Sequence, residues 1–218
     1  MGASDGSFKD PVHHTDLRTH CIGLLLAGGD STRFGQNKLT QCISGSRIAE
    51  LAAKALASVC QNSFEAGTGL TDLVQVPGSL GCGPLGAIAK TVHHLRESAD
   101  FDPRASAIVL AADLPLISPA TLHLLADWPG TANVVPVVNG RGQYLAARWS
   151  AKALDIALAL HQRGVFRVRD ALTLTETHWL SYDRWEDSME FLDVDTPEDL
   201  LQVRHSAISG SHQRRSDG

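Results

Sequence analysis

Apolar residues occur in two kinds of run, and the two kinds alternate along the chain. Two runs are continuous, CIGLLLA at 21–27 and SAIVLAA at 106–112. A strand that is covered on both faces shows such an uninterrupted run, so we expect both to be central strands of a sheet. Other runs repeat at three- and four-residue spacing, as IAELAAKALASV does at 48–59, and this spacing predicts an amphipathic helix.

Turn and capping residues predict further elements. Asn139-Gly140 lies between the apolar runs 132–138 and 143–149, which predicts an antiparallel hairpin. Ser118-Pro119 predicts the start of one helix, and Thr196-Pro197 predicts the start of the last helix. The remaining predicted helices are 84–97, 119–127, 151–162 and 166–172, and the remaining short strands are 64–66, 73–76, 178–182 and 191–194.

The alternation of strands and helices determines the predicted fold class. It is typical of βαβ units on a parallel sheet. We therefore predict an α/β protein, a single Rossmann-like three-layer α/β/α domain with a mostly parallel sheet and an antiparallel hairpin excursion. Polar ends without periodicity predict disordered tails at 1–19 and 206–218, which leaves residues 20–205 for the domain.

Charge and composition exclude several classes of protein. The chain has 218 residues and a net charge of −5, which argues against a nucleic-acid binder because such proteins need a basic face. No apolar run approaches the roughly 20 residues of a membrane span, and the N-terminus has no apolar stretch for a signal peptide. The four cysteines are widely spaced, so we expect reduced, mostly structural thiols. These features predict a cytoplasmic protein with no nucleic-acid or membrane partner.

Candidate chemistry begins directly after the first central strand, in the stretch LLLAGGDSTRFGQNK. Ligands of open α/β sheets bind beyond the carboxyl ends of the strands. Gly28 and Gly29 allow backbone N–H groups to close on an anion, and Ser31, Arg33 and Lys38 add a hydroxyl and two cations. The set suits a triphosphate, although it matches neither G-x-x-x-x-G-K-[ST] nor G-x-G-x-x-G. An ordinary glycine-rich turn with surface cations is the alternative.

Two acidic segments follow other predicted strands. Asp113 comes directly after the second central strand, in AADLPLIS, where a carboxylate can hold Mg²⁺ on a nucleotide phosphate. Asp193 and Asp195 alternate in LDVDTPEDL, so on a strand both would point to one face and one could complete the metal site. The alternatives are a turn or capping role for Asp113 and helix capping by Asp195 or Thr196.

The motif LAGGxSxRxGxxK resembles the signature of the molybdenum cofactor nucleotidyltransferases, part of the larger group of sugar-nucleotide pyrophosphorylase type. The resemblance covers residues 21–205. It implies that Arg33, Lys38 and Asp113 are catalytic, with both cations on the β- and γ-phosphates, and that Asp113 and Asp195 hold Mg²⁺. The nucleotide-binding residues that the motif implies are Leu26, Ala27, Gly28, Gly29, Ser31, Gly35 and Lys38.

The resemblance also bears on the base of the nucleotide. LAGG and the segment Gly83-Pro84-Leu85 are similar to the guanylyltransferase branch, in which the first contacts the base and the second lines the base and ribose pocket. LDVDTPEDL is instead similar to the cytidylyltransferases, since the guanylyltransferases often carry asparagines there. SFEAGTG and VQVPGSLGCGPLG also lack an asparagine and an aspartate that are usual in the guanylyltransferases.

The acceptor side shows a weaker resemblance. Gln143, Arg167 and Arg169 stand where the family faces the acceptor pterin, and the two arginines could receive its phosphate. Solvated surface cations are the alternative for both arginines. A molybdoenzyme or a cofactor-insertion chaperone is an open partner.

The activity implied is transfer of GMP from GTP to molybdopterin, with release of pyrophosphate. Two other functions stay open on the sequence. One is a sister enzyme that uses CTP with molybdopterin, or GTP with a small phosphorylated acid. The other is a non-catalytic nucleotide-binding or partner-binding module.

Overall fold

A computed structural model describes residues 21–28, 37–76, 80–98, 102–186 and 188–216. Within these ranges the strands are β1 (Ile22–Ala27), β2 (Cys42–Ile43), β3 (Ser46–Arg47), β4 (Ser63–Gly67), β5 (Val74–Gln75), β6 (Ala107–Ala111), β7 (Asn133–Val138), β8 (Arg141–Gly142), β9 (Ala146–Trp149) and β10 (Thr177–Leu180). The predicted tail at 1–19 lies outside the described residues.

The α-helices connect these strands in the predicted order. They are α1 (Ile48–Val59), α2 (Gly83–Arg96), α3 (Pro119–Ala126), α4 (Ala151–Gln162), α5 (Val168–Thr173), α6 (Asp183–Glu186) and α7 (Pro197–Ser216). Two 3-10 turns, Lys38–Thr40 and Met189–Phe191, complete the set in the described ranges. Ser118 caps α3 as predicted, since its side chain accepts a hydrogen bond from the Thr121 N–H.

The strands form one main sheet with the order β10-β7-β9-β6-β1-β4-β5. β1 lies in the interior of the sheet and pairs in parallel with β4 and β6, whereas β9 runs antiparallel to β6 and β7. β8 pairs with β7 across Asn139 and Gly140, which both have positive φ, as a two-residue hairpin turn requires. The predicted fold class, a mostly parallel α/β sheet with an antiparallel hairpin excursion, is confirmed.

Helices cover both faces of the sheet. Leu24 and Leu25 are neighbours in β1 and are both fully buried, but they belong to different hydrophobic clusters. One cluster includes residues of α1, α3, α6 and α7, and the other includes residues of α2, α4 and α5. Burial on both faces is the physical reason that the central strands read as continuous apolar runs. Across the described ranges, every helix is too short or too polar to cross a membrane.

The structure corrects the prediction at the end of the chain. The strand predicted at 191–194 is wrong: Phe191 ends a 3-10 turn, and residues 192–195 have no regular structure. The turn forms because the Ser188 side chain accepts the Glu190 N–H, a local bond that competes with strand pairing. α7 then continues to Ser216, through residues for which the sequence analysis predicts a disordered tail. Once the first turns of a helix have formed, further residues extend it at little cost in free energy. The added residues show no apolar periodicity, so the sequence does not predict this extension.

Candidate functional site

The candidate site lies at the carboxyl ends of β1, β4 and β6. The Ala112 N–H donates to the Leu26 carbonyl at 3.1 Å, so the segment after β6 stays beside the end of β1. On the other side, a Cβ atom at Gly67 would lie 2.7 Å from the Ala27 carbonyl oxygen. Gly67 therefore permits a close approach of β4 to β1 that no larger residue allows.

Backbone hydrogen bonds hold Asp113 next to the chain that carries Asp195. The Val194 N–H donates to the Asp113 carbonyl at 3.0 Å. Two residues before Asp113, the Ala111 N–H donates to the Leu145 carbonyl at 2.7 Å. Segments from three distant parts of the sequence thus meet at this edge of the sheet.

A capping box at the start of α7 leaves the Asp195 carboxylate available to the site. The Asp199 carboxylate accepts the Thr196 N–H at 2.7 Å, and the Thr196 hydroxyl accepts the Asp199 N–H at 3.2 Å. Capping is therefore the task of Thr196 and Asp199. Helix capping, which the sequence analysis left open for Asp195 or Thr196, is carried out by Thr196.

Lys38 joins the two aspartates. Its Nζ atom lies 2.7 Å from Asp113 Oδ2 and 2.5 Å from Asp195 Oδ1. The side chains of Lys38 and Asp113 are 17% and 22% exposed, and that of Asp195 is 47% exposed. Asn37 helps to place the lysine, because its side chain accepts the Leu39 N–H and caps the 3-10 turn at Lys38–Thr40.

The charges of this cluster shift two pKa values. Burial lowers the pKa of Lys38, but the charges and hydrogen bonds of Asp113 and Asp195 outweigh burial and hold that pKa above its usual value. Burial raises the pKa of Asp193, and the charges of Asp195 and Asp113 raise it further. The edge of the sheet therefore carries a negative field that Lys38 compensates only in part.

The two carboxylates that contact Lys38 fit a divalent metal ion. One ammonium nitrogen reaches both, so a single small cation between Asp113 and Asp195 can contact both side chains. Carboxylate oxygens are the ligands that Mg²⁺ prefers, and Mg²⁺ commonly takes one or two of them together with substrate phosphates and water. In the described ranges no third histidine, cysteine, aspartate or glutamate completes a metal site, which suits this mode of binding.

Comparison with known proteins identifies the family. The model of the MobA-like NTP transferase domain matches residues 23–177. The chain belongs to this family. It is a nucleotidyltransferase, and the resemblance deduced from the LAGG motif is confirmed.

Individual relatives agree with this assignment. A probable molybdenum cofactor guanylyltransferase from Halalkalibacterium halodurans is 27% identical over 197 residues, which span 83% of this chain and 96% of the relative. The crystal structure of molybdopterin-guanine dinucleotide biosynthesis protein A from Archaeoglobus fulgidus is 15% identical. It superposes with a TM-score of 0.67 over 86% of this chain and 99% of its own. The fold of this chain is therefore that of solved nucleotidyltransferases.

A further solved structure contains a metal. Rv0371C from Mycobacterium tuberculosis, crystallised as a complex with manganese, is 21% identical. It has a TM-score of 0.61 over 86% of this chain and 100% of its own.

Residues predicted to bind the nucleotide divide into two groups in this MobA-like domain. Leu26 and Leu85 lie in the same buried cluster, so only their backbone atoms can reach a ligand. Gly28 follows β1 and is exposed, and a Cβ there would lie 3.5 Å from Leu80 Cδ2. Leu80 precedes α2, whose first turn contains Gly83 and Pro84. The residue three positions before the predicted base segment therefore lies beside Gly28, the first glycine of the predicted phosphate loop.

The remaining predicted residues are not joined to this cluster by contacts that the structure gives. Gln143 donates from its side chain to the Arg141 carbonyl within its own hairpin. Arg167 precedes α5, Arg169 lies within it, and both are exposed. Gly29, Ser31, Arg33 and Gly35 lie outside the described residues, so their predicted roles stay predictions.

Sequence reasoning missed Glu65 as a component of this edge. Glu65 is fully buried, and its carboxylate accepts three N–H groups, from Gly69, Leu70 and Thr71, as well as the Thr71 hydroxyl. These bonds fold the loop after β4 back onto the strand. The available signal was an acid within the short apolar strand SFEAG, where an unpaired charge would be costly.

Proposed function

We propose that this nucleotidyltransferase acts in molybdenum cofactor synthesis and transfers GMP from GTP to Mo-molybdopterin, with release of pyrophosphate. The observation that carries the proposal is the meeting of Lys38, Asp113 and Asp195 beyond the end of β1. This position is where open α/β sheets bind ligands. The names of the relatives, and the LAGG and GPL segments of this chain, support guanine and molybdopterin as substrates.

The arrangement suits displacement at the α-phosphorus. The attacking group is a phosphate of the acceptor, which is already an anion, so no protein nucleophile or base is needed. The protein has to align two anionic substrates and stabilise the charge of the leaving pyrophosphate. Lys38, and Arg33 from the predicted loop, would serve this purpose by binding the β- and γ-phosphates.

Lys38 has two alternative sets of partners in this proposal. It contacts both carboxylates in the structure, and it would turn toward the phosphates when the nucleotide is bound. Asp113 and Asp195 would then hold Mg²⁺, which, when bound, neutralises phosphate charge and acts as a Lewis acid. The backbone bond between Val194 and Asp113 keeps the two carboxylates together throughout.

A cytidylyltransferase is the second candidate. The observation that favours it is the carboxylate of Asp195 in the cluster, because this aspartate belongs to the DVDTPEDL segment that resembles the cytidylyltransferases. The two candidates share the phosphate and metal chemistry and differ only in the base.

Pyrophosphate release by the purified protein tests the proposal. With Mg²⁺ and molybdopterin, we expect GTP to be used in preference to CTP. Asp113→Asn should lower the rate on the order of 10²-fold or more, since a preorganised charge is lost. Asp127→Asn, an exposed acid at the end of α3, is the matched control and should retain the rate.

The metal assignment, the choice of base and the catalytic activity can each be contradicted by a separate result. Undiminished turnover by Asp113→Asn would contradict the metal assignment, and a preference for CTP would select the second candidate. Binding of GTP and Mg²⁺ without turnover on molybdopterin or on a small phosphorylated acid would support a non-catalytic module.

A further inference from the structure

A pair of aromatic rings lies on the same face of the sheet as the predicted base segment. Tyr144 and Trp179 make an edge-to-face contact, with ring centroids 6.2 Å apart and ring planes at 88°. Trp179 is in register with Val135, which is buried in the hydrophobic cluster that includes residues of α2, α4 and α5, and Tyr144 packs against the same cluster. Residues in register on neighbouring strands project to one face, so both rings lie on the face that α2 covers.

Both rings also lie toward the edge of the sheet that carries the candidate site. β10 is parallel to β7, and β7 and β6 are both antiparallel to β9, so the carboxyl end of β10 lies at the same edge as Asp113. Trp179 is the last residue but one of β10. Tyr144 precedes Leu145, whose carbonyl accepts the Ala111 N–H two residues before Asp113. Three strand spacings, roughly 14 Å, separate β10 from β6, which a single ligand with fused rings and a phosphate can span.

Trp179 offers a large apolar surface to solvent although its ring is held in place. It is 46% exposed, whereas Trp149 and Trp185 are 0% and 1% exposed. A Cβ at Gly142 would lie 3.0 Å from Trp179 Cζ3 and 3.1 Å from Tyr144 Cε1, so the missing side chain lets both rings pack against β8. The Trp149 indole N–H donates to the Tyr144 carbonyl at 3.0 Å and fixes that residue in turn. A ring that is already fixed loses little conformational entropy when a ligand stacks on it.

The rings complete an order of three parts along this edge of the sheet. The predicted base segment, Gly83-Pro84, begins α2, which packs against β1 and β4. The charged cluster of Lys38, Asp113 and Asp195 follows at the ends of β1 and β6. The rings lie beyond this cluster, next to β9 and on β10. A nucleotide that occupies the first two parts therefore leaves the rings available to the second substrate.

We propose that the acceptor carries a flat heteroaromatic ring, and that this ring stacks on Trp179, which Tyr144 holds in position. The inference rests on the proposed function, since it concerns the acceptor of the same transfer reaction. An aromatic side chain recognises the π-face of a flat heterocycle and needs no hydrogen bond to do so. A small phosphorylated acid has no such face, and Trp179 would contribute nothing to its binding. Trp179 thus selects a ring-bearing phosphate, such as molybdopterin, over a small phosphorylated acid.

The KM for molybdopterin in pyrophosphate release tests the stacking surface. Trp179→Ala should raise this KM about 10-fold, the size expected when one aromatic stacking partner is lost, and should leave the KM for GTP unchanged. Trp179→Phe retains a ring, so its KM for molybdopterin should stay within about 3-fold of the parent value. Leu174→Ala truncates another exposed apolar side chain, just after α5, and is the matched control that should behave as the parent does.

Equilibrium binding separates this inference from the proposed transfer reaction. The Kd for molybdopterin, measured by equilibrium dialysis without GTP, should also rise about 10-fold in Trp179→Ala, whether or not GMP is transferred. If neither protein transfers GMP but the variant loses affinity for molybdopterin, the stacking surface stands and the proposed transfer fails. If the parent transfers GMP and a folded Trp179→Ala protein keeps the parent's KM and Kd, the transfer stands and the stacking surface is refuted.

Two further results would also overturn the inference. An equal rise of the KM for GTP and the KM for molybdopterin in Trp179→Ala would show a general effect on the fold, with no selective role for the ring. Failure of the parent protein to bind molybdopterin would refute both the stacking surface and the proposed acceptor.

Discussion

The Asp199 carboxylate accepts the backbone N–H of Asp195 at 3.1 Å, in addition to the N–H and hydroxyl of Thr196. One acid in the first turn of α7 thus satisfies the backbone that precedes the helix, and a second acid, Asp195, is free to face Lys38. Two aspartates four residues apart therefore have different tasks. Asp199 holds the backbone in place, and Asp195 supplies charge to the candidate site.

Asp199→Ala should destabilise the protein and also reduce transfer activity. Loss of a capping side chain costs about 1 kcal/mol in free energy of unfolding. Activity should fall because Asp195 is no longer held, and Glu198→Ala, the exposed neighbour in the same turn, should change neither property. Urea unfolding and pyrophosphate release measure the two effects, and equal behaviour of the two variants would contradict the role given to Asp199.

The stabilisation by Asp199 should disappear in acid. Burial raises its pKa, but the hydrogen bonds from Thr196 and Asp195 together outweigh burial and lower it. A carboxyl group whose pKa is lower in the folded state stabilises above its usual pKa of about 3.9. The difference in thermal midpoint between the parent and Asp199→Ala should therefore shrink as the pH falls below about 4.

Asp193→Asn and Asp195→Asn should differ, although the two residues are neighbours in DVD. Asp195 contacts Lys38, so Asp195→Asn should lose activity on the order of 10²-fold. The pKa of Asp193 is raised by burial and by its acidic neighbours, so the charged form destabilises the fold at neutral pH. Asp193→Asn should therefore be slightly more stable than the parent at pH 7 and equally stable at pH 3, where both the folded and unfolded states are mostly protonated. Full activity of Asp195→Asn would refute the assignment of the second metal ligand.

Lys38→Met should show a stability defect at pH 8 that becomes smaller at high pH. The raised pKa of Lys38 means that its charge stabilises the fold below the usual lysine pKa of about 10.4. This contribution is lost as the pH rises through the still higher pKa of the folded state. Unfolding measured at pH 8 and pH 11 should show a difference between parent and variant that becomes smaller at pH 11. Lys54→Met, an exposed lysine on α1, is the control and should show no such trend.

Glu65→Gln should weaken the fold. The amide cannot accept all four hydrogen bonds that the carboxylate accepts, and its NH₂ group would face N–H donors in the core. We expect a loss of roughly 2–3 kcal/mol in urea unfolding. Glu97→Gln, an exposed acid at the end of α2, serves as the control. Unchanged stability of Glu65→Gln would show that the loop after β4 does not depend on this charge.

The sequence by itself determined the parts of this protein that depend on local patterns. The continuous run at 21–27 predicts β1, the periodic run at 48–59 coincides with α1, and Ser118 caps α3 as predicted. These features could be predicted because periodicity, burial of both faces and capping involve residues within a few positions of one another. The same locality explains the error at 191–194, where a short apolar alternation looks like a strand although a capped turn forms.

Only the tertiary structure decided which side chains meet. Lys38 is 75 residues from Asp113 and 157 residues from Asp195, and no local rule relates these positions. The motifs suggested a common site, but the choice of Thr196 over Asp195 as the capping residue and the burial of Glu65 became visible only in three dimensions. Parallel sheet pairing places the ends of β1, β4 and β6 side by side, so the candidate site results from contacts between residues that are distant in sequence.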